Sequence, residues 1–175
     1  MDYGKTPFVI YQGAWNVMER NFERKIIPMA RSLGLALTPR NVHVAGRLHS
    51  DAEEEKRPAS GEKGRTIFQA EWRRNENERK MTAALEKVAK EVGTEHVTAV
   101  AIAVLMQKTP YVFPAIGGRK VEQLMANIDA LKISLSNEDI KYIEGILPFD
   151  LGFPLNFIIS NLLRAFERGE ILHGK

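Results

Sequence analysis

The 175-residue sequence contains no cysteine, which excludes disulfides, thiolate catalysis and Cys-ligated zinc or iron–sulfur clusters together. The core must hold by packing alone. No apolar run approaches the roughly 20 residues that span a bilayer, and the opening MDYGKTPFVIYQG lacks the charged-then-apolar layout of a signal peptide. A cytoplasmic location is expected. Charge of one sign is not in marked excess: 25 Lys and Arg stand against 22 Asp and Glu, for a net charge of +3. The two signs are interspersed, which argues against a nucleic-acid partner. What remains, 44% hydrophobic and 27% charged residues, is an ordinary globular balance.

Residues 8–12 (FVIYQ) form a short β-branched and aromatic run just after Pro7, as a buried strand begins. Ile26, Met29, Ala30 and Leu33 then repeat at helical spacing, with Gly34 placed for a left-handed helix end. Residues 35–38 (LALT) predict a second strand, stopped by Pro39. Further on, Met81, Ala84, Leu85, Val88 and Val92 predict one helix, ended by Gly93. Val97, Val100, Ala101, Val104 and Leu105 predict another, capped by Thr94 and closed by Pro110. Residues 111–116 (YVFPAI) predict a third strand, leading through Gly117 and Gly118 into a helix with Val121, Leu124, Met125 and Ile128 facing inward. Ser136 with Asn137, Glu138 and Asp139 opens a further helix, since a hydroxyl cap and early carboxylates satisfy its free N–H groups. Residues 148–154 (PFDLGFP) read as a rigid irregular tail, and residues 156–172 as a last amphipathic helix. Strands alternating with helices imply an α/β fold with parallel strands. A closed eight-stranded barrel needs several more such units than this chain holds.

Between Pro39 and Asn75 the sequence is polar and punctuated by glycine, which predicts a site loop. Within it, residues 51–65 (DAEEEKRPASGEKGR) carry both charges plus Pro58, Gly61 and Gly64 and read as a solvated loop. Residues 51–75 are the expected least-ordered segment. His43 and His49, six apart, carry no metal-ligand spacing, and His96 reads as a solvated first-turn residue.

Gly117-Gly118-Arg119-Lys120, between a strand and a helix, is where chemistry is most legible. N–H groups at a helix N-terminus attract phosphate, glycines admit it, and Arg and Lys add charge. Alone, those four residues are better read as a plain β–α turn with solvated Arg and Lys. Their surroundings, residues 113–131 (FPAIGGRKVEQLMANIDAL), resemble the last strand-to-helix segment of the aldo-keto reductases. Residues 6–31, with Gln12, Trp15 and Asn16, resemble the sixth-strand segment of the same family. The tail 147–157 (LPFDLGFPLNF) is similar to the fungal subgroup of aryl-alcohol dehydrogenases and norsolorinic acid reductases.

The resemblance implies a partial (β/α)₈ TIM barrel, roughly its last three β/α units. Residues 1–157 would form the C-terminal half of the barrel and residues 158–175 a helical extension. It further implies NADP as cofactor, carbonyl–alcohol interconversion, and an aromatic carbonyl or alcohol as substrate, as in fungal secondary metabolism. Carried over, Gln12 would bond the nicotinamide carboxamide. Gly117, Arg119 and Lys120 would form the 2′-phosphate corner, and Gln123 and Asn127 would hold the adenine. The family's catalytic Asp, Tyr, Lys and His lie on the first four strands and have no counterpart here, so a truncated chain, inactive alone, is expected. Where the family has an aromatic and glycines after the seventh strand, Arg40, Val44 and Ala45 stand instead. The competing expectation is a non-catalytic module that pairs with itself or a full-length reductase through exposed sheet edges.

Overall fold

The computed structural model describes residues 4–60 and 73–167, with side chains described up to residue 55 and again from 73 to 162. Strand β1 (Ile10–Ala14) is followed by helix α1 (Asn21–Leu33) and strand β2 (Ala36–Arg40). Gly34 ends α1 in the left-handed conformation at φ 67°, where a Cβ would be penalised. The strands pair in parallel, with Ile10 opposite Ala36 and Gly13 opposite Pro39. β1 lies two residues later than the run 8–12, and β2 begins one residue later and ends two residues later than the run 35–38. β2 continues through Pro39 instead of stopping there.

The third expected strand is reduced to a single parallel bridge between Leu37 and Val112. The Leu37 N–H donates to the Tyr111 carbonyl, and the Leu37 carbonyl accepts from Phe113. Pro39 has no N–H for the next rung, so the ladder skips a bond before the Pro39 carbonyl accepts from Ala115 at 2.8 Å. All three extended segments run parallel, as the sequence predicts, with β2 between the other two.

Helices α2 (Asp51–Ser60), α3 (Glu76–Glu91), α4 (Val97–Lys108), α5 (Val121–Asp129), α6 (Asn137–Ile146) and α7 (Leu155–Glu167) follow. The central one is α4, buried continuously from Ala99 to Leu105. Its Ile102 and Leu105 join Trp15, Phe22, Ile27 and Leu37 on one side, while Val100 and Val104 join Met81, Leu85, Val88 and Ile143 on the other. The two clusters therefore share one helix. Thr94 does not cap α4. His96 occupies the cap position, and the Thr94 hydroxyl accepts from its N–H. Ser136 caps α6 reciprocally with Asp139, as the sequence predicts.

Three expectations about order and exposure are overturned, and α1 turns inward a set of residues other than the one its spacing picks out. Residues 51–60 are helical, with Ser50 and Glu53 forming a reciprocal cap at the start of α2. The rest of the expected loop, 61–72, lies outside the described residues. In α1 the inward side chains are Phe22, Ile27 and Ala30, and Leu33 is exposed. The start of the first strand is exposed too: Phe8 is 89% and Val9 67% accessible, because β1 has no described neighbour on its outer edge. On α5 the apolar face points outward, with Val121 72% and Leu124 54% accessible. Only Ala126 and Asn127 are buried there, since α4 and the 3₁₀ turn Ala130–Lys132 are the elements that pack against α5.

Candidate functional site

A cleft of about 660 Å³ opens between the connection after β2 and the N-terminal end of α5. One wall is built from residues 41–49 with Glu53 of α2. The other comes from the 115–119 turn with Glu122, Gln123, Ala126 and Asn127 of α5, and His96 and Thr98 at the start of α4 line it as well. Its size lies within the range of small-molecule and cofactor sites.

The α5 wall collects residues close in sequence. Gly117, Arg119, Gln123 and Asn127 all line the cleft, and Asn127 is buried. A Cβ on Gly118 would sit 2.9 Å from the Gln123 Cβ, so only glycine lets the turn close this tightly on the helix. The Gln123 Oε1 accepts from the Arg119 N–H at 2.8 Å and from the Lys120 N–H at 3.3 Å. Two amides expected to face a phosphate are thus already satisfied by the side chain three to four residues on. An anion at this corner must displace that carbonyl or bind beside it. Lys120 takes the cap position of α5 and does not line the cleft. Neither does Gln12, exposed on β1 opposite Thr38.

The opposite wall is a tight turn stapled from behind. Asn41, Val44, Ala45 and Gly46 all have positive φ. Arg47, buried, pairs with Glu78 of α3 at 3.2 Å. Arg74, also buried, reaches Glu54 at 2.5 Å and bonds Asp51 and the His49 carbonyl. Burial alone would raise the Glu54 carboxyl, but hydrogen bonds and charge from Arg74, with Arg79 adding to them, hold it below its ordinary value. These pairs fasten the turn and α2 to the start of α3, so the mixed charges read as solvated are partly internal. Ser50-Asp51-Ala52-Glu53 was the signal for this: a serine followed three residues later by glutamate marks a helix start. His43 and His49 both line the cleft. The buried Nε2 of His43 has no hydrogen-bond partner among the described residues, and burial pushes its imidazole below the usual 6.5, toward the neutral form.

The sequence matches a known family. The Aldo/keto reductase family profile matches residues 1–148, and the chain belongs to that family. It is 58% identical over 152 residues to the aryl-alcohol dehydrogenase [NADP(+)] of Phanerodontia chrysosporium, covering 86% of this chain and 40% of that protein. With norsolorinic acid reductase A of Aspergillus parasiticus it shares 42% identity over 164 residues, 94% of this chain and 39% of the relative. The chain therefore spans about two fifths of the length of these relatives. Its fold resembles a crystal structure of a thermostable aldo-keto reductase complexed with the inhibitor epalrestat. That likeness has a TM-score of 0.54 at 22% identity, over 80% of this chain and 40% of the other.

Proposed function

We propose that this chain forms the nucleotide-binding side of an NADP-dependent oxidoreductase barrel, comprising roughly its last three β/α units, which interconverts aromatic alcohols and carbonyls. The observation that carries the reading is the convergence of Arg119, Gln123 and Asn127 on one cleft from helix α5 and the turn that leads into it. These residues fit the cofactor. A guanidinium is planar and permanently charged, which suits a 2′-phosphate, and amides that both donate and accept suit an adenine edge. A phosphate at the glycine turn would displace the Gln123 side-chain oxygen from the Arg119 and Lys120 amides or bind beside it. NADP, when bound, supplies the hydride chemistry; this chain's residues bind and orient its adenosine end. Gln12 would serve the nicotinamide end. The name of the Phanerodontia relative supports NADP as the cofactor.

Acid–base chemistry is assigned to no residue here. Turnover is expected to require the family's catalytic Asp, Tyr, Lys and His, so this chain by itself should bind without reducing. The site of action would be the cytoplasm, and no described helix is long and apolar enough to cross a membrane.

Titration with NADP⁺ and NAD⁺, followed by amide shifts at Gly117, Arg119, Gln123 and Asn127, tests the reading. Arg119→Ala should weaken NADP⁺ about tenfold, because a charge-assisted bond contributes about 1.5–3 kcal/mol, and leave NAD⁺ almost unchanged. An equal loss for both nucleotides, or no shifts at millimolar NADP⁺, would remove it.

A further inference from the structure

The wall facing α5 holds its shape against its own sequence. Val44, Ala45 and Gly46 follow one another at φ 51°, 54° and 84°, with Asn41 at 60°. Only glycine enters that region without steric cost, and a β-branched residue there is a true outlier. Such a turn persists where its surroundings over-determine it.

The surroundings converge on Asn41. Its Oδ1 accepts from the Ala45 N–H at 2.7 Å, and its carbonyl accepts from the Val44 N–H at 3.0 Å. That same carbonyl takes the Asn16 Nδ2–H at 3.1 Å. Asn16 is itself immobilised. It is 1% exposed, and its Oδ1 accepts from the Met18 and Glu19 N–H groups at 2.9 and 2.8 Å, in the connection between β1 and α1. The Trp15 N–H bonds the Arg40 carbonyl beside it. Asn16 does not line the cleft; Asn41, His43, Ala45 and Gly46 do.

We propose that Asn16 is a positioning residue: through Asn41 it holds the left-handed turn that forms one wall of the dinucleotide cleft. The inference rests on the cleft reading above for its ligand, while the hold on the turn stands on the hydrogen bonds alone. Asn16 fixes the turn to the sheet connection, so the wall is set before any ligand arrives, which lowers the ordering cost of binding.

Two measurements on the full chain test this, one without ligand. In Asn16→Ala, amide exchange at Ala45 should accelerate and the backbone couplings of Val44 and Ala45 should leave the left-handed range. NADP⁺ affinity should fall by about tenfold, the scale of one well-made hydrogen bond. Adding Val44→Gly and Ala45→Gly should restore part of that affinity, because glycine enters the left-handed region without steric cost although it is not fixed there, while the Met18 and Glu19 amides stay unpaired. A role confined to stabilising the β1–α1 connection would give no such rescue. If Asn16→Ala does not fold, Asn16→Asp removes the donor to Asn41 and keeps the acceptor for both amides. Unchanged Ala45 exchange, or an affinity loss that the glycines do not recover, overturns the proposal. Absence of NADP⁺ binding by the unaltered chain would overturn the functional reading alone, and the exchange and coupling data would then decide the hold on the turn.

Discussion

Helices α4 and α5 are both apolar and lie against each other, yet one is buried along seven consecutive residues and the other exposes Val121, Leu124, Met125 and Ile128. A hydrophobic stripe states which face seeks cover, not whether cover is at hand. For α4 the cover is complete, with α3 packed against it and core residues from α1, β2 and α6 around it. For α5 the described chain supplies it on one side only.

The contrast can be broken most severely in the covered region. Trp15 is fully buried, stacks on Phe22 at 5.6 Å and donates to Glu23 at 3.0 Å. Trp15→Ala should cost about 3–5 kcal/mol, as large aromatic deletions do. Denaturant melts measure it, and a loss under about 1 kcal/mol would show that this cluster does not hold the fold.

A smaller effect comes from the polar clasp beside that core. Burial would raise the Glu23 carboxyl, but hydrogen bonds from Arg20, Lys108 and Trp15, with the Lys108 charge, hold it below its ordinary 4.5. A depressed carboxylate contributes stability that is full above 4.5 and is lost as pH falls through the lower folded value. Glu23→Gln should therefore reduce stability at pH 7 and flatten its decline in acid, because Glu144 is then the carboxylate left to Arg20 and Lys108 among the described residues. Parallel pH–stability curves for the two proteins would contradict this.

The smallest thermodynamic effect belongs to the uncovered face. Leu124→Lys should change stability by no more than about 0.5 kcal/mol, while lowering any concentration-dependent self-association seen by light scattering. A large loss of stability would mean that Leu124 is covered in solution.

The helix positions were legible because their signals are local. Asn75 with Glu78, Ser136 with Asp139 and Gly34 are each readable within a few residues. Exposure was legible only in part: α4 is apolar all round, the mark of a buried helix, whereas the one-sided stripe of α5 does not say whether another element covers it. The cleft divides in the same way. Arg119, Gln123 and Asn127 lie within one helix and its turn, so spacing and resemblance pick them out together. The opposite wall depends on Asn16 meeting Asn41 and Arg74 meeting Glu54, separated by 25 and 20 residues, and no periodicity encodes such pairs. Pro58 and the glycines concealed α2, although Ser50 and Glu53 already marked its start.

The parallel strand order bears on how the chain reaches its fold in time. Pairing β1 with β2 joins residues such as Ile10 and Ala36 across a short helical excursion, whereas Leu37 and Val112 meet across a far longer stretch that includes α2, α3 and α4. Loop-closure entropy rises with the logarithm of the separation, so the second contact costs about 1 kcal/mol more to initiate. The β1–α1–β2 unit should be the early nucleus and the Val112 bridge a late event. Substitution at Ile27, inside that unit, should slow refolding, while Val112→Ala should chiefly hasten unfolding; stopped-flow rates showing the reverse would place the nucleus elsewhere.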